Sequence, residues 1–209
     1  MKKLNHQIIK FNGKNQLMEV LANCFSIGKV QIHFHKYDES KEKGQRVTSS
    51  VDIYTDIEEM LLLCNDILTG RISKELEVSK AKGKYPEPVW IDMGGVSANK
   101  LEERAKYCAA HGIKPKESQH PRDDGKSLSR VLKIVPGDKF PVLFVAESGA
   151  GEEAENGLIV PKYGRNPDNR IMFGLTNDQL KKLAISTKMN IEAYYAAQYV
   201  SGAFLKEFV

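Results

Sequence analysis

Cysteine is scarce in this chain. Cys24, Cys64 and Cys108 are odd in number, far apart and without C-x-x-C spacing. A disulfide framework or a zinc-binding cysteine set is thereby excluded, and a reducing cytoplasm becomes the expected location. Long apolar runs are missing too: none approaches the roughly 20 residues needed to cross a bilayer. The basic N-terminus, "MKKLNHQIIKFNGKNQ", has no sustained apolar stretch, so no signal peptide and no membrane partner are expected. Walker A, G-x-S-x-G and H-E-x-x-H motifs are all absent. A non-catalytic protein without a cofactor is the expectation.

What is present is an ordinary globular composition. The 209 residues are 41% hydrophobic and 28% charged, enough for a proper core and too apolar for bulk disorder. The net charge is +4. Residues 71–140 hold fifteen Lys and Arg against ten Asp and Glu, whereas the segments before and after are balanced or slightly acidic. The cationic excess therefore sits in the middle third, either as a polyanion-binding patch or as a solvated, lysine-rich connector.

Two segments share a grammar. In "KVQIHFHKYD", Val30, Ile32 and Phe34 alternate with Gln31, His33, His35 and Tyr37, the pattern of a half-buried strand. A charged loop and a second strand, "VTSSVDIY", follow. Thr55-Asp-Ile-Glu58 then has capping-box spacing before a helix with Ile57, Met60, Leu61, Cys64, Ile67 and Leu68 on one stripe, closed by Gly70. Later, "FPVLFVAE", "GLIVPKYG" and "NRIMFGL" read as strands. Thr176-Asn-Asp-Gln179 is a second capping box, flanked by Leu175 and Leu180, and opens a long helix with a kink expected in "ISTKMN". Between the two segments, "RISKELEVSKAKGKYPEP" reads as basic and flexible. It is followed by a short strand at 89–93, a helix ending at Gly112, a loop, and a hairpin turned by Pro136-Gly137-Asp138. The expected class is α+β: antiparallel sheets from a duplicated β-β-(β)-α unit, with helices packed on the sheets. A single domain spans 1–209, with half-repeats at 28–70 and 128–209 and a basic insert at 71–127.

Few residues invite chemistry. Gly149-Ala-Gly151-Glu-Glu-Ala154 matches the G-x-G-x-x-G/A spacing of a dinucleotide turn. Such a turn must open a helix, and here Gly157 and Pro161 leave no room for one, while Glu152, Glu153 and Glu155 would repel phosphates. An acidic hairpin loop joining strands 140–147 and 157–163 is expected instead. His33 and His35 share a strand face and have the spacing of a metal-ligand pair, with only Asp38 near in sequence; a plain polar face is the competing reading. Cys108 with His111 and the Asp123-Asp124 pair read more simply as a helix face and a turn.

The remaining candidate is a sheet surface. Binding a single strand takes cations for phosphates and aromatics for base stacking. The strand around Lys36 and Tyr37, Arg46 in the next loop, Arg130 and Lys133 in "SRVLK", and Lys162, Tyr163, Arg165 and Arg170 in "VPKYGRNPDNR" provide both. Repeated strands ending in "GLIVPKYGRNPDNRIMFGLTNDQLKKLA" resemble the sheet-then-helix unit of Whirly and PC4-like single-stranded DNA binders, and the overall character is similar to accessory proteins of bacterial mobile elements and phages. The resemblance covers element order over about 28–70 and 128–200 and implies helices that mediate oligomers. The lysine-rich motif of the plant Whirly proteins is absent, so no site residue is carried over. The function expected is non-catalytic binding of single-stranded DNA or RNA in replication, recombination or transfer, by a homo-oligomer. The alternative is a protein–protein adaptor that oligomerises through its C-terminal helix, where Ile191, Tyr194, Tyr195, Tyr199 and Phe204 form an aromatic-rich stripe.

Overall fold

A computed structural model describes residues 6–42, 44–83, 86–114 and 120–202. The class is α+β, built on two antiparallel sheets. The first is a meander of β1 (Gln7–Gly13), β2 (Gln16–Leu21), β3 (Lys29–Tyr37) and β4 (Val47–Asp56). Its two N-terminal strands were not read from the basic leader. Their turn is made by Asn15 at φ 57°, a left-handed conformation that asparagine tolerates. Val20, Ile32 and Ile53 stand abreast across β2, β3 and β4, as do Met18, Phe34 and Val51, and all six are buried. Glu19, His33 and Asp52 stand abreast on the opposite face.

After β4 come α1 (Ile57–Leu68) and α2 (Arg71–Ala81), turned by Gly70 at φ 82°. Two expectations are corrected here. Thr55 caps nothing: strand pairing continues through Thr55 and Asp56, the N-cap is Asp56 without a side-chain bond, and the Thr55 hydroxyl donates to Asp92 instead (2.6 Å). The segment after Gly70 is a helix rather than a flexible basic stretch, because Ile72 and Leu76 form an apolar pair one turn apart that enters the core. On α1 the buried stripe includes Leu63, while Leu68 is exposed.

The second sheet contains β5 (Trp90–Val96), β6 (Ser127–Pro136), β7 (Val142–Glu153), β8 (Ile159–Pro161) and β9 (Asn169–Leu175), with α3 (Ala98–Ala110) between β5 and β6. The order is β5-β6-β7-β8, and β9 also pairs with β7. One edge of β7 is thus shared: Val142–Ser148 face β9 and Gly151–Glu153 face β8. The G-x-G stretch lies within β7 and no helix follows it. Its glycines serve packing. A Cβ on Gly149 would sit 2.7 Å from the Tyr163 ring, and one on Gly151 would sit 2.6 Å from the Ile159 side chain. The acidic turn is shorter than expected, because β7 runs on to Glu153.

α4 (Asn177–Val200) closes the fold. Thr176 caps it as expected, its hydroxyl accepting from the Gln179 amide while the Gln179 side chain accepts from the Thr176 N–H. α4 is not broken in "ISTKMN"; it is one continuous helix of 24 residues. Leu180, Leu183, Ala184, Thr187 and Ile191 form its buried stripe, extended by the half-buried Tyr194, which meets Phe25 edge-on at 5.3 Å. Tyr199 is exposed, and Phe204 lies outside the described residues, as does Lys43. One apolar cluster joins residues of both sheets with α1, α2 and α4, and Trp90 packs half-buried against it. Among the described residues no helix is long and apolar enough to cross a membrane.

Candidate nucleic-acid interface

Side chains alternate along β6, β7 and β9, so each strand offers one face to the core and one outward. Glu147 of β7 lies on the outer face and is only 3% exposed. Lys133 of β6 reaches it diagonally, its ammonium 2.7 Å from Oε2. Arg170, directly opposite on β9, places Nε 2.6 Å from Oε1. The Tyr163 hydroxyl donates to Oε2 at 3.4 Å. Burial opposes ionisation of Glu147, yet the hydrogen bonds from Lys133 and Arg170 outweigh it and hold the carboxyl below its ordinary range. Burial and the same carboxylate push the Tyr163 phenol up.

Two further cations attach through the main chain. Arg170 Nη2 donates to the Arg165 carbonyl (3.1 Å), and Lys36 Nζ donates to the Arg170 carbonyl (2.9 Å). The Lys36 contact crosses from the first sheet to the second. Lys133, Tyr163 and Arg170 therefore meet at Glu147, and Arg165 and Lys36 join them through main-chain carbonyls. Tyr37 adjoins it on β3, with its hydroxyl on the Gly13 carbonyl at 3.3 Å. Arg46 is exposed in the following loop and donates to the Lys41 carbonyl at 3.1 Å.

Two of the expected residues stand elsewhere. Lys162 pairs with Glu152 at 2.8 Å. Arg130 points to the other face of β6 and is 7% exposed, with its guanidinium 5.3 Å from the centre of the Tyr54 ring. Burial lowers its pKa, and Tyr54 and Asp52 oppose that shift. Burial pushes the Tyr54 phenol up to about 12, with the Asp52 charge adding to it. Arg130 borders a cleft of about 270 Å³ with Lys29, Tyr54, Asp92 and Gly94. Its charge thus lies at that cleft and not on the outer face that carries Glu147.

Sequence reasoning missed Glu147 because it sits in a run of apolar and small residues, "VLFVAESGAG", and nothing in that run marks a charge hub. The available signal was register: opposite a carboxylate in mid-strand, Lys133 and Arg170 fall on the same face.

No family model, no curated protein and no solved structure matches this chain.

Proposed function

We propose that the protein binds single-stranded nucleic acid non-catalytically on the outer face of the second sheet. The observation that carries this reading is the group around Glu147: Lys133 and Arg170 pair with one buried carboxylate, Tyr163 donates to it, and the Lys36 ammonium and the Arg165 main chain adjoin through backbone carbonyls. The carboxylate fixes the geometry of Lys133 and Arg170, two part-exposed cations on one carboxylate. A backbone of phosphates meets such a surface by releasing counterions, and bases stack on an aromatic ring beside it. The order of elements, strands of two antiparallel sheets each leading into a helix, supports the same reading. Fluorescence anisotropy with labelled oligo-dT at several salt concentrations tests it. Binding should weaken with salt by a log–log slope of about −0.7 per phosphate contact, and Arg165→Ala should make that slope shallower. Absence of binding at low salt would end this reading.

A second reading, an adaptor that self-associates through α4, is favoured by a different observation. Ile185, Met189, Tyr199 and Val200 are exposed apolar side chains on that one helix. Light scattering of the wild type and of Met189→Glu separates it: a dimer that dissociates in the variant supports the reading, and a monomeric wild type removes it.

A further inference from the structure

The face of β5 and β6 opposite Glu147 holds a hollow. Gly94 stands directly across from Arg130, so the two side-chain positions share a face, and Asp92 and Val96 share it by alternation. Gly94 leaves its position empty: a Cβ there would meet nothing within 4 Å. The space beside the Arg130 guanidinium is the cleft of about 270 Å³. A second hollow of about 500 Å³ adjoins it and shares Lys29, Tyr54 and Arg130. α3 forms one of its walls with Lys100, Leu101 and Arg104, neighbours within one turn of that helix. Ile27 and Val96 add aliphatic surface.

The two lobes differ in charge. Asp56 and Asp92 line the smaller one, and each has a partner of its own: Asp56 pairs with Lys29, and Asp92 accepts from Thr55, both at 2.6 Å. Among the described residues no acid lines the larger lobe, while Lys29, Lys100, Arg104 and Arg130 all border it. Lys100 and Arg104 are exposed, whereas Arg130 is buried. Folding has thus already stripped water from one guanidinium and left it bordering a hollow, where a charge-assisted hydrogen bond is stronger than at an open surface. The Tyr54 ring lies against that guanidinium and Asp52 acts on it through space, yet its five donors can serve a further acceptor.

This lining selects a ligand chemistry. Cations interleaved with Ile27, Val96 and Leu101 suit an anion that carries an apolar body. Asp56 and Asp92 next door disfavour a doubly charged phosphate monoester and leave a singly charged head. The walls are aliphatic, and the ring of Tyr54 is already engaged by Arg130, so a flexible aliphatic body fits better than a stacked aromatic one. We propose that this cleft binds a small aliphatic monocarboxylate, its head among Lys100, Arg104 and Arg130 and its chain along Ile27, Val96 and Leu101. The site is separate from the Glu147 face and stands whether or not that face binds nucleic acid.

Octanoate is the probe, titrated into the full chain at low salt and followed by calorimetry and amide NMR. One equivalent should bind, with the largest shifts at Gly94, Val96 and Leu101. Octanol has the chain without the charge, and inorganic phosphate has charge without the chain. Each should bind about 10-fold more weakly or not at all. Arg104→Glu reverses an exposed cation of the larger lobe, and Gly94→Val fills the space beside Arg130. Each should weaken octanoate binding about 10-fold or more, with circular dichroism reporting that the variant is folded. Arg104 is an exposed helix position, so that variant tests the site even where Gly94→Val disturbs the sheet. Failure of one-to-one binding, shifts centred on another part of the chain, octanol or phosphate binding as tightly as octanoate, or undiminished binding in either folded variant would overturn the proposal.

Discussion

Glu147 shows how one buried side chain can hold two strands' cations in place. Its carboxylate is depressed below the usual range of about 4.3 because Lys133 and Arg170 bond it more strongly than burial disfavours it. A depressed carboxylate contributes stability above its unfolded pKa and loses it as pH falls through the folded value. The wild type should therefore lose stability as the pH drops below about 4, and Glu147→Gln should remove part of that loss while being less stable at pH 7. Urea melts of both proteins at pH 7 and pH 3 check this. Arg130 and Arg165 make a second contrast at the same scale. Arg165→Ala should reduce oligo-dT affinity and leave the melting temperature almost unchanged, since its side chain is exposed. Arg130→Ala should cost about 3 kcal/mol or more, because it strips the cation from Tyr54 and from the buried Asp52. Its effect on the salt slope should be nil. A folded Arg130→Ala with a shallower slope would show that the buried arginine reaches the ligand after all.

At the level of elements, two similar sequence signals came out differently. Thr176-x-x-Gln179 and Thr55-x-x-Glu58 both have capping-box spacing, yet only Thr176 caps a helix. The difference lies upstream. β4 keeps pairing with β3 up to Asp56, so the Thr55 backbone belongs to a ladder and its hydroxyl is free to cross to Asp92. Thr176→Ala should cost about 1 kcal/mol in chemical denaturation. An unchanged midpoint would show that the Gln179 side chain holds the helix start unaided. The strands around β3, β4, β6 and β9, the end of α1, the helix α3 and the start of α4 were legible because their alternation or punctuation is local. The N-terminal hairpin was not, since Lys10 and Lys14 interrupt its apolar pattern. α2 was hidden for the same reason, with only Ile72 and Leu76 to bury among many charged residues. Of the site, the cationic residues were legible by type. Their grouping was not, because it depends on which strand lies opposite which. The Lys36–Arg170 contact joins residues 134 apart in sequence, beyond any local pattern.

Over the whole molecule, the decisive fact is the shared core. Phe34, Ile53, Phe144, Phe173, Leu183 and Ile191 belong to one buried cluster although they come from two sheets and the last helix. Neither sheet keeps its apolar face covered without the other. Thermal unfolding should accordingly be a single cooperative transition, coincident by circular dichroism and by Trp90 fluorescence. Residues 1–83 expressed alone should bind a hydrophobic dye and show no cooperative melt. Two separated transitions, or a folded fragment, would mean that the halves are independent units.

The divided edge of β7 has a consequence for how such a protein can change over generations. Seven pairs hold β9 to β7 and three hold β8, and the stretch from Lys162 to Asp168 leaves the ladder between them. Because β9 is registered by its own pairs, that stretch can lengthen or shorten without shifting a strand, provided Tyr163 keeps its place against Gly149 and Glu147. It carries Tyr163 and Arg165. The scaffold thus offers a slot where the surface between β8 and β9 can change in length while the register of both strands on β7 is kept.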